Sequence, residues 1–176
     1  YGFLWIGTSN GLNCYYGSGN KIYRNVLNDK YSLGNNFVSS LMEEGEDLWI
    51  GTSSGLYIYD RSDDHFLYFD KTTKYGVFIS CEVKKIVKTK NGLIWIATLG
   101  QGIFIYDPAK DVLTQNSIRT FFAWDICQGT DSLVYVSSMQ EGLLCFDEEG
   151  TFLQNYPVSS ELSIGNQRIN CLHSIE

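Results

Sequence analysis

Leu4-Trp5-Ile6-Gly7-Thr8 decides the fold, because the chain repeats it. It returns as Leu48-Trp49-Ile50-Gly51-Thr52 and as Ile94-Trp95-Ile96-Ala97-Thr98, with a worn copy at Val134-Tyr135-Val136-Ser137-Ser138. The anchors Trp5, Trp49, Trp95 and Tyr135 are spaced by steps of 44, 46 and 40 residues. A period of that length marks a solenoid, a propeller or an array.

Each anchor is followed by the same grammar. A turn ends in glycine (Gly11, Gly55, Gly102, Gly142), and a second apolar run ends in an aromatic residue (Tyr15, Tyr59, Tyr106, Phe146). In three copies an aspartate follows, Asp60, Asp107 or Asp147, which suits the head of a hairpin because its side chain bonds backbone two residues on. A third run succeeds it, such as 65–69, 112–114 or 151–153. One more run lies upstream of the anchor, such as 38–42 or 83–87, and Asn91-Gly92 before Trp95 is a strong hairpin signal. Four short β-rich runs per period describe the four-stranded blade of a β-propeller. No window between the turns keeps a helical apolar period, so almost no helix is expected.

The fold class is therefore all-β, a β-propeller of four-stranded antiparallel blades with about four blades present. Blade 1, partial, is expected over 1–28, blade 2 over 36–70, blade 3 over 82–116 and blade 4 over 118–157. The stretch 168–175, around Arg168-Ile169-Asn170-Cys171-Leu172-His173, is expected to be the first strand of a further or closing blade. The chain reads as one propeller domain or as an excerpt of a larger propeller. It would close as a small ring, or pack on other blades or a second copy. The anchor strands are apolar on both faces, so both faces must be covered. Their indoles are expected in the seams between blades, with Gly7, Gly51 and Ala97 leaving room for a neighbour to approach.

Composition narrows the function. The 176 residues carry a formal net charge of −7, which disfavours a nucleic-acid backbone or an anionic membrane as partner. Lys84, Lys85, Lys88 and Lys90 are the one dense basic group and read as a solvated edge or turn. No apolar run is long enough to span a bilayer. Five cysteines at irregular spacing, Cys14, Cys81, Cys127, Cys145 and Cys171, form neither a zinc pattern nor a disulfide framework and are expected to be reduced and buried.

Tyr31-Ser32-Leu33-Gly34-Asn35-Asn36-Phe37-Val38-Ser39-Ser40-Leu41 parallels 162–172 at an offset of 131 residues, three periods. The order Ser-Leu-Gly-Asn-Asn, strand, turn, Leu-Trp-Ile-Gly-Thr, turn, Gly-Leu, then Tyr-Asp resembles the two-component regulator propeller repeat. The resemblance is sharpest over Asn36–Asp70 and weakest in the fourth copy, where Tyr135 and Ser137 replace Trp and Gly. It implies a segment of the periplasmic sensor region of a bacterial hybrid two-component sensor kinase. Such a segment detects oligosaccharides and relays the signal across the membrane, with any kinase activity elsewhere in the chain.

No catalytic constellation is present. His65 and His173 lie in different repeats, and no metal, nucleophile-elbow or phosphate-loop motif occurs, so no cofactor and no metal are expected. Glu43-Glu44-Gly45-Glu46-Asp47 reads as a solvated hairpin turn rather than a cation loop. The ligand-binding candidates lie in the inter-blade connections, which are free to vary. They are Arg119, Phe121, Phe122, Trp124 and Asp125, where aromatic faces and polar groups suit a sugar, and also Tyr75 and Phe78. The bland alternative makes the run around Trp124 an inner strand with alternate residues buried. Competing functions are a propeller enzyme, such as a quinone-dependent dehydrogenase or a polysaccharide lyase, and a pure interaction scaffold.

Overall fold

The computed structural model describes residues 2–118, 120, 122–157 and 169–174. It divides into two compact units, Tyr1–Asp70 with Ile79–Val83, and Lys71–Phe78 with Lys84–Glu176. The described residues form strands and turns, with no helix.

The first unit contains two antiparallel sheets. β1 (Leu4–Thr8), β2 (Gly11–Tyr15) and β3 (Asn20–Tyr23) form a three-stranded sheet. β4 (Val38–Glu44), β5 (Asp47–Thr52), β6 (Gly55–Asp60) and β7 (His65–Tyr68) form a four-stranded sheet in chain order. The other two sheets are also four-stranded and in chain order. One comprises β8 (Glu82–Lys88), β9 (Ile94–Leu99), β10 (Gly102–Asp107) and β11 (Val112–Gln115). The other comprises β12 (Ala123–Gln128), β13 (Val134–Ser138), β14 (Gly142–Phe146) and β15 (Phe152–Tyr156). β8 begins in the first unit and continues in the second.

The repeated phrase has a local cause at each letter. Its threonine staples the turn: the Oγ1 of Thr8, Thr52 and Thr98 donates to the carbonyls of Gly11, Gly55 and Gly102 at 2.8, 2.9 and 2.7 Å. Gly55 and Gly102 then adopt φ of +124° and +78°, which a side chain would strain. The aspartate after each aromatic caps the next hairpin. Asp60, Asp107 and Asp147 accept the N–H of Ser62, Ala109 and Glu149 at 2.8, 3.0 and 3.1 Å. All three carboxyls are held below the ordinary aspartate range. The Ser62 hydroxyl and N–H act first on Asp60, and the Lys110 ammonium acts first on Asp107. For Asp147, burial opposes the shift but the Thr151 hydrogen bonds outweigh it.

The small residue of the phrase admits a neighbouring strand. A β-carbon on Gly7 would stand 2.7 Å from Val38 Cγ1, and one on Gly51 would stand 2.8 Å from Val83 Cγ1. Where the third phrase carries Ala97, the residue at the place of Val38 and Val83 is Ala123, and both alanines belong to one buried cluster. Glycine against valine gives way to alanine with alanine, so side-chain volume is added at one of the two positions and removed at the other.

Packing follows the anchors unevenly. Trp95 is fully buried with Ile103, Ile105, Val136, Leu144 and Phe146, and its ring centroid lies 5.6 Å from that of Phe146. Trp49 is buried and lies 5.1 Å from Phe69. The Trp95 indole N–H is buried without an acceptor among the described residues, at a cost of about 1–3 kcal/mol that the buried ring offsets. Trp5 departs from the expected enclosure. It is half-buried, 5.1 Å from Tyr59 and 5.9 Å from Tyr23, because β1 is an edge strand of its sheet. Tyr135 is also half-buried, since its hydroxyl reaches out to Asp131 at 3.0 Å.

Two further expectations are corrected. Ile169–Ser174 lies in no strand; the Leu172 N–H donates to Asp125 Oδ2 at 2.7 Å instead of to a ladder carbonyl. Arg168 and residue 175 lie outside the described residues. The five cysteines are free, but only Cys14 and Cys145 are buried; Cys171 is exposed because no strand encloses it. The acidic run does form a hairpin turn, with Gly45 at φ +61° between β4 and β5.

Candidate functional site

Two of the candidates, Phe78 and Phe122, lie beside the turn between β9 and β10 in the second unit. Phe122 makes a bridge with Leu99, and its carbonyl accepts the Met139 N–H at 3.2 Å. Thr120 is buried beneath it, with its hydroxyl 2.8 Å from Glu141 Oε2 and 2.9 Å from Ser138 Oγ. Phe78 joins the same turn, because its carbonyl accepts the Gln101 Nε2–H at 2.9 Å. The rings of Phe78 and Phe122 remain 46% and 37% exposed.

Trp124 stands at a β-bulge. The β12–β13 register passes from Ala123↔Ser138 to Asp125↔Ser137, so Trp124 is the extra residue. β4 carries the same shift between Val38 and Ser40. A bulge re-aims the inserted side chain, which plain alternation along the strand does not anticipate. The indole is half-buried, and the Lys84 ammonium lies 4.2 Å from its ring centroid. Such a contact contributes roughly 0.5–1 kcal/mol at an accessible site.

Asp125 is 7% exposed and faces inward. Its carboxylate accepts the N–H of Ile126 at 2.9 Å and of Leu172 at 2.7 Å, with Lys85 Nζ at 3.8 Å. It therefore holds the strand end and the 169–174 segment rather than presenting oxygens to a ligand. Lys84 and Lys85, expected at a solvated edge or turn, are half-buried through these contacts. Tyr75 lies apart, at the tip of a tight loop over 73–77. Arg119 and Phe121 lie outside the described residues.

One recurrent arrangement escaped the sequence reading. Tyr59 donates to Asp64 Oδ1 at 2.6 Å, and Tyr106 donates to Asp111 Oδ1 at 2.6 Å. Both aspartates have positive φ, of 59° and 53°. Tyr23 also donates to Asp64, at 2.8 Å, and Lys21 pairs with its other oxygen; Lys71 reaches Asp111 at 2.6 Å. The signal was present as Tyr-Asp with a second aspartate five residues after the tyrosine, in two successive repeats. Partial burial alone would raise the Asp64 carboxyl, but Lys21 and the two phenols outweigh it and hold it at about 2. Burial first, then Asp64, pushes the Tyr59 hydroxyl up to about 12, and burial with Asp111 does the same at Tyr106. Neither the acid nor the phenols change protonation near neutral pH, so these clusters lock the hairpins and cannot shuttle protons. Among the described residues no group of His, Cys, Asp and Glu is placed to hold a metal ion.

The sheets define an all-β chain built of propeller blades. Residues 32–54, which include the second copy of the phrase, match the family model "Two component regulator propeller", so the resemblance read from the repeat holds over that stretch. No curated protein matches the sequence significantly. Among solved structures, the chain is similar to the extracellular domain of a hybrid two component system from B. thetaiotaomicron, at 20% identity and a TM-score of 0.74. It is also similar to the extracellular domain of a one component system from the same organism, at 22% identity and a TM-score of 0.73. Both alignments cover 87% of this chain and 23% of the other, so the chain spans under a quarter of each. Virginiamycin B lyase from Staphylococcus aureus aligns with a TM-score of 0.64 at 13% identity, over 92% of this chain and 54% of the lyase. These likenesses establish the fold. Among the described residues no helix is long and apolar enough to cross a membrane.

Proposed function

We propose that this chain is a non-catalytic sensory segment of a bacterial hybrid two-component sensor. It lies on the periplasmic side of the inner membrane, detects oligosaccharides, and passes the signal to a kinase elsewhere in the protein. Its sheets are part of a larger propeller and pack on further blades or on a second copy of the chain. The family match at 32–54 supports the sensor reading. The observation that carries ligand binding is the pair of exposed rings Phe78 and Phe122 beside one turn, with Trp124 two residues after Phe122 as the extra residue of a bulge. Aromatic faces of this kind stack on the C–H faces of sugars, and nearby amides and hydroxyls serve the sugar hydroxyls.

The test is calorimetry of the chain against size-fractionated xylan, arabinan, galactan and pectin oligosaccharides. At least one class should bind, and Trp124→Ala should weaken it about tenfold or more. The Tm of that variant should fall by less than about 4 °C, equivalent to roughly 1 kcal/mol in a chain of this size. Absence of binding by every class refutes the reading. A collapse of Tm would make Trp124 a packing residue.

A further inference from the structure

Tyr75 is the most exposed aromatic side chain among the described residues, at 81%. Its loop is nonetheless tightly built. Thr73 N–H donates to Val77 O at 2.7 Å, and Gly76 N–H donates to Thr73 O at 2.8 Å. The Thr73 hydroxyl, itself buried, accepts the N–H of Tyr75 and Val77 at 3.3 and 3.1 Å. The same closure recurs at Thr89–Leu93, where Thr89 N–H donates to Leu93 O at 2.9 Å. The residue corresponding to Tyr75 there is Asn91, a polar turn residue. Closure of the loop therefore needs no aromatic, and the ring packs no core.

The ring borders a cleft of about 320 Å³ shared with Leu113, Thr114, Gln115 and Asn116. β11, which supplies most of these residues, is one edge strand of its sheet, and β8, whose Lys84 lies over Trp124, is the other. Three strand spacings separate them, about 14 Å. The rim between is continuous through Gln101. Its backbone carbonyl accepts the Gln115 Nε2–H at 2.7 Å, and its side-chain amide donates to Phe78 O at 2.9 Å.

We propose that the ligand is an extended oligosaccharide that crosses the end of the β8–β11 sheet, stacking on the Phe122 and Trp124 group at one end and on Tyr75 at the other. This rests on the sugar-sensing reading above and adds a second platform and a length requirement to it. A saccharide too short to span the rim engages one platform only. A longer chain engages both, and the second contact forms at the high effective concentration set by the first.

The experiment compares dimers with hexamers of each glycan class by calorimetry, on the full chain and on Tyr75→Ala and Tyr75→Phe. The hexamer of the recognised class should bind at least about tenfold more tightly than its dimer. Y75A should close that gap while leaving dimer affinity and Tm unchanged, and Y75F should preserve most of it. Equal affinities for dimer and hexamer, or a gap that survives in Y75A, overturn the second platform and leave the Trp124 site standing. Failure of every saccharide at every length overturns both. Because Tyr75 packs no core, a fall in Tm in Y75A would also overturn the assignment.

Discussion

Replacing Gly51 by alanine tests the seam between strands, and the structure supplies the rescue. The new β-carbon would lie 2.8 Å from Val83 Cγ1, 3.1 Å from Val83 Cβ and 3.2 Å from Ser40 Cβ. Carbon atoms prefer about 3.5–4.0 Å, so valine or the strand must give way. Overpacking of that size costs about 1–3 kcal/mol. Val83 is fully buried, and its truncation to alanine removes two methyl groups for about 2–3 kcal/mol. In the double variant the added methyl enters the space that valine vacated, as Ala97 and Ala123 do in their shared cluster. V83A removes the shortest of these contacts, so G51A/V83A should cost less than the sum of the two single variants, a coupling of about 1–3 kcal/mol. Equilibrium urea unfolding followed by tryptophan fluorescence measures all four proteins. Additivity of the single costs to within about 0.5 kcal/mol would refute the exchange of volume between facing positions.

Two more outcomes follow from hydrogen bonds. Thr52→Val keeps the shape but removes the acceptor for the Ser54 N–H and the donor to Gly55 O, and should cost about 1–2 kcal/mol in the same assay. Asp64, held at about 2 against an ordinary 3.8, favours the folded state above pH 4, and that contribution should fade as pH drops from about 4 to about 2. The side chain is half exposed, so solvent screening keeps the effect to about 1 kcal/mol or less; Asp64→Asn should flatten this acid limb of the urea midpoint.

What could be read in the residues depended on range. The phrase around Trp49 and Trp95 declared strands, turns and burial, because each requirement acts within a few residues. The threonine of the phrase was legible as a strand former but not as a turn staple, since its bond returns to a glycine carbonyl three or four residues on. Asp64 was harder still. Lys21 is its partner across 43 residues, and no local pattern couples the two. Trp124 looked like one member of an alternating strand, yet the bulge removed it from the ladder. Trp5 shared the wording of Trp49 but not its enclosure, because burial depends on the strand alongside and not on the phrase itself. Of the candidate site, residue types were readable and orientation was not; Asp125 had the right chemistry for a sugar and uses it on backbone N–H groups instead.

The position that follows the seam residue in β4, β8 and β12 has a consequence for how such a protein changes over time. Ser39, Lys84 and Trp124 follow Val38, Val83 and Ala123 in successive strands, and each is succeeded two places later by a large aliphatic residue, Leu41, Ile86 or Ile126. Around this one slot the wording is tied to packing, but the slot itself accepts a hydroxyl, an ammonium or an indole. The slot can therefore change in polarity and charge while the packing positions on either side of it keep each sheet intact.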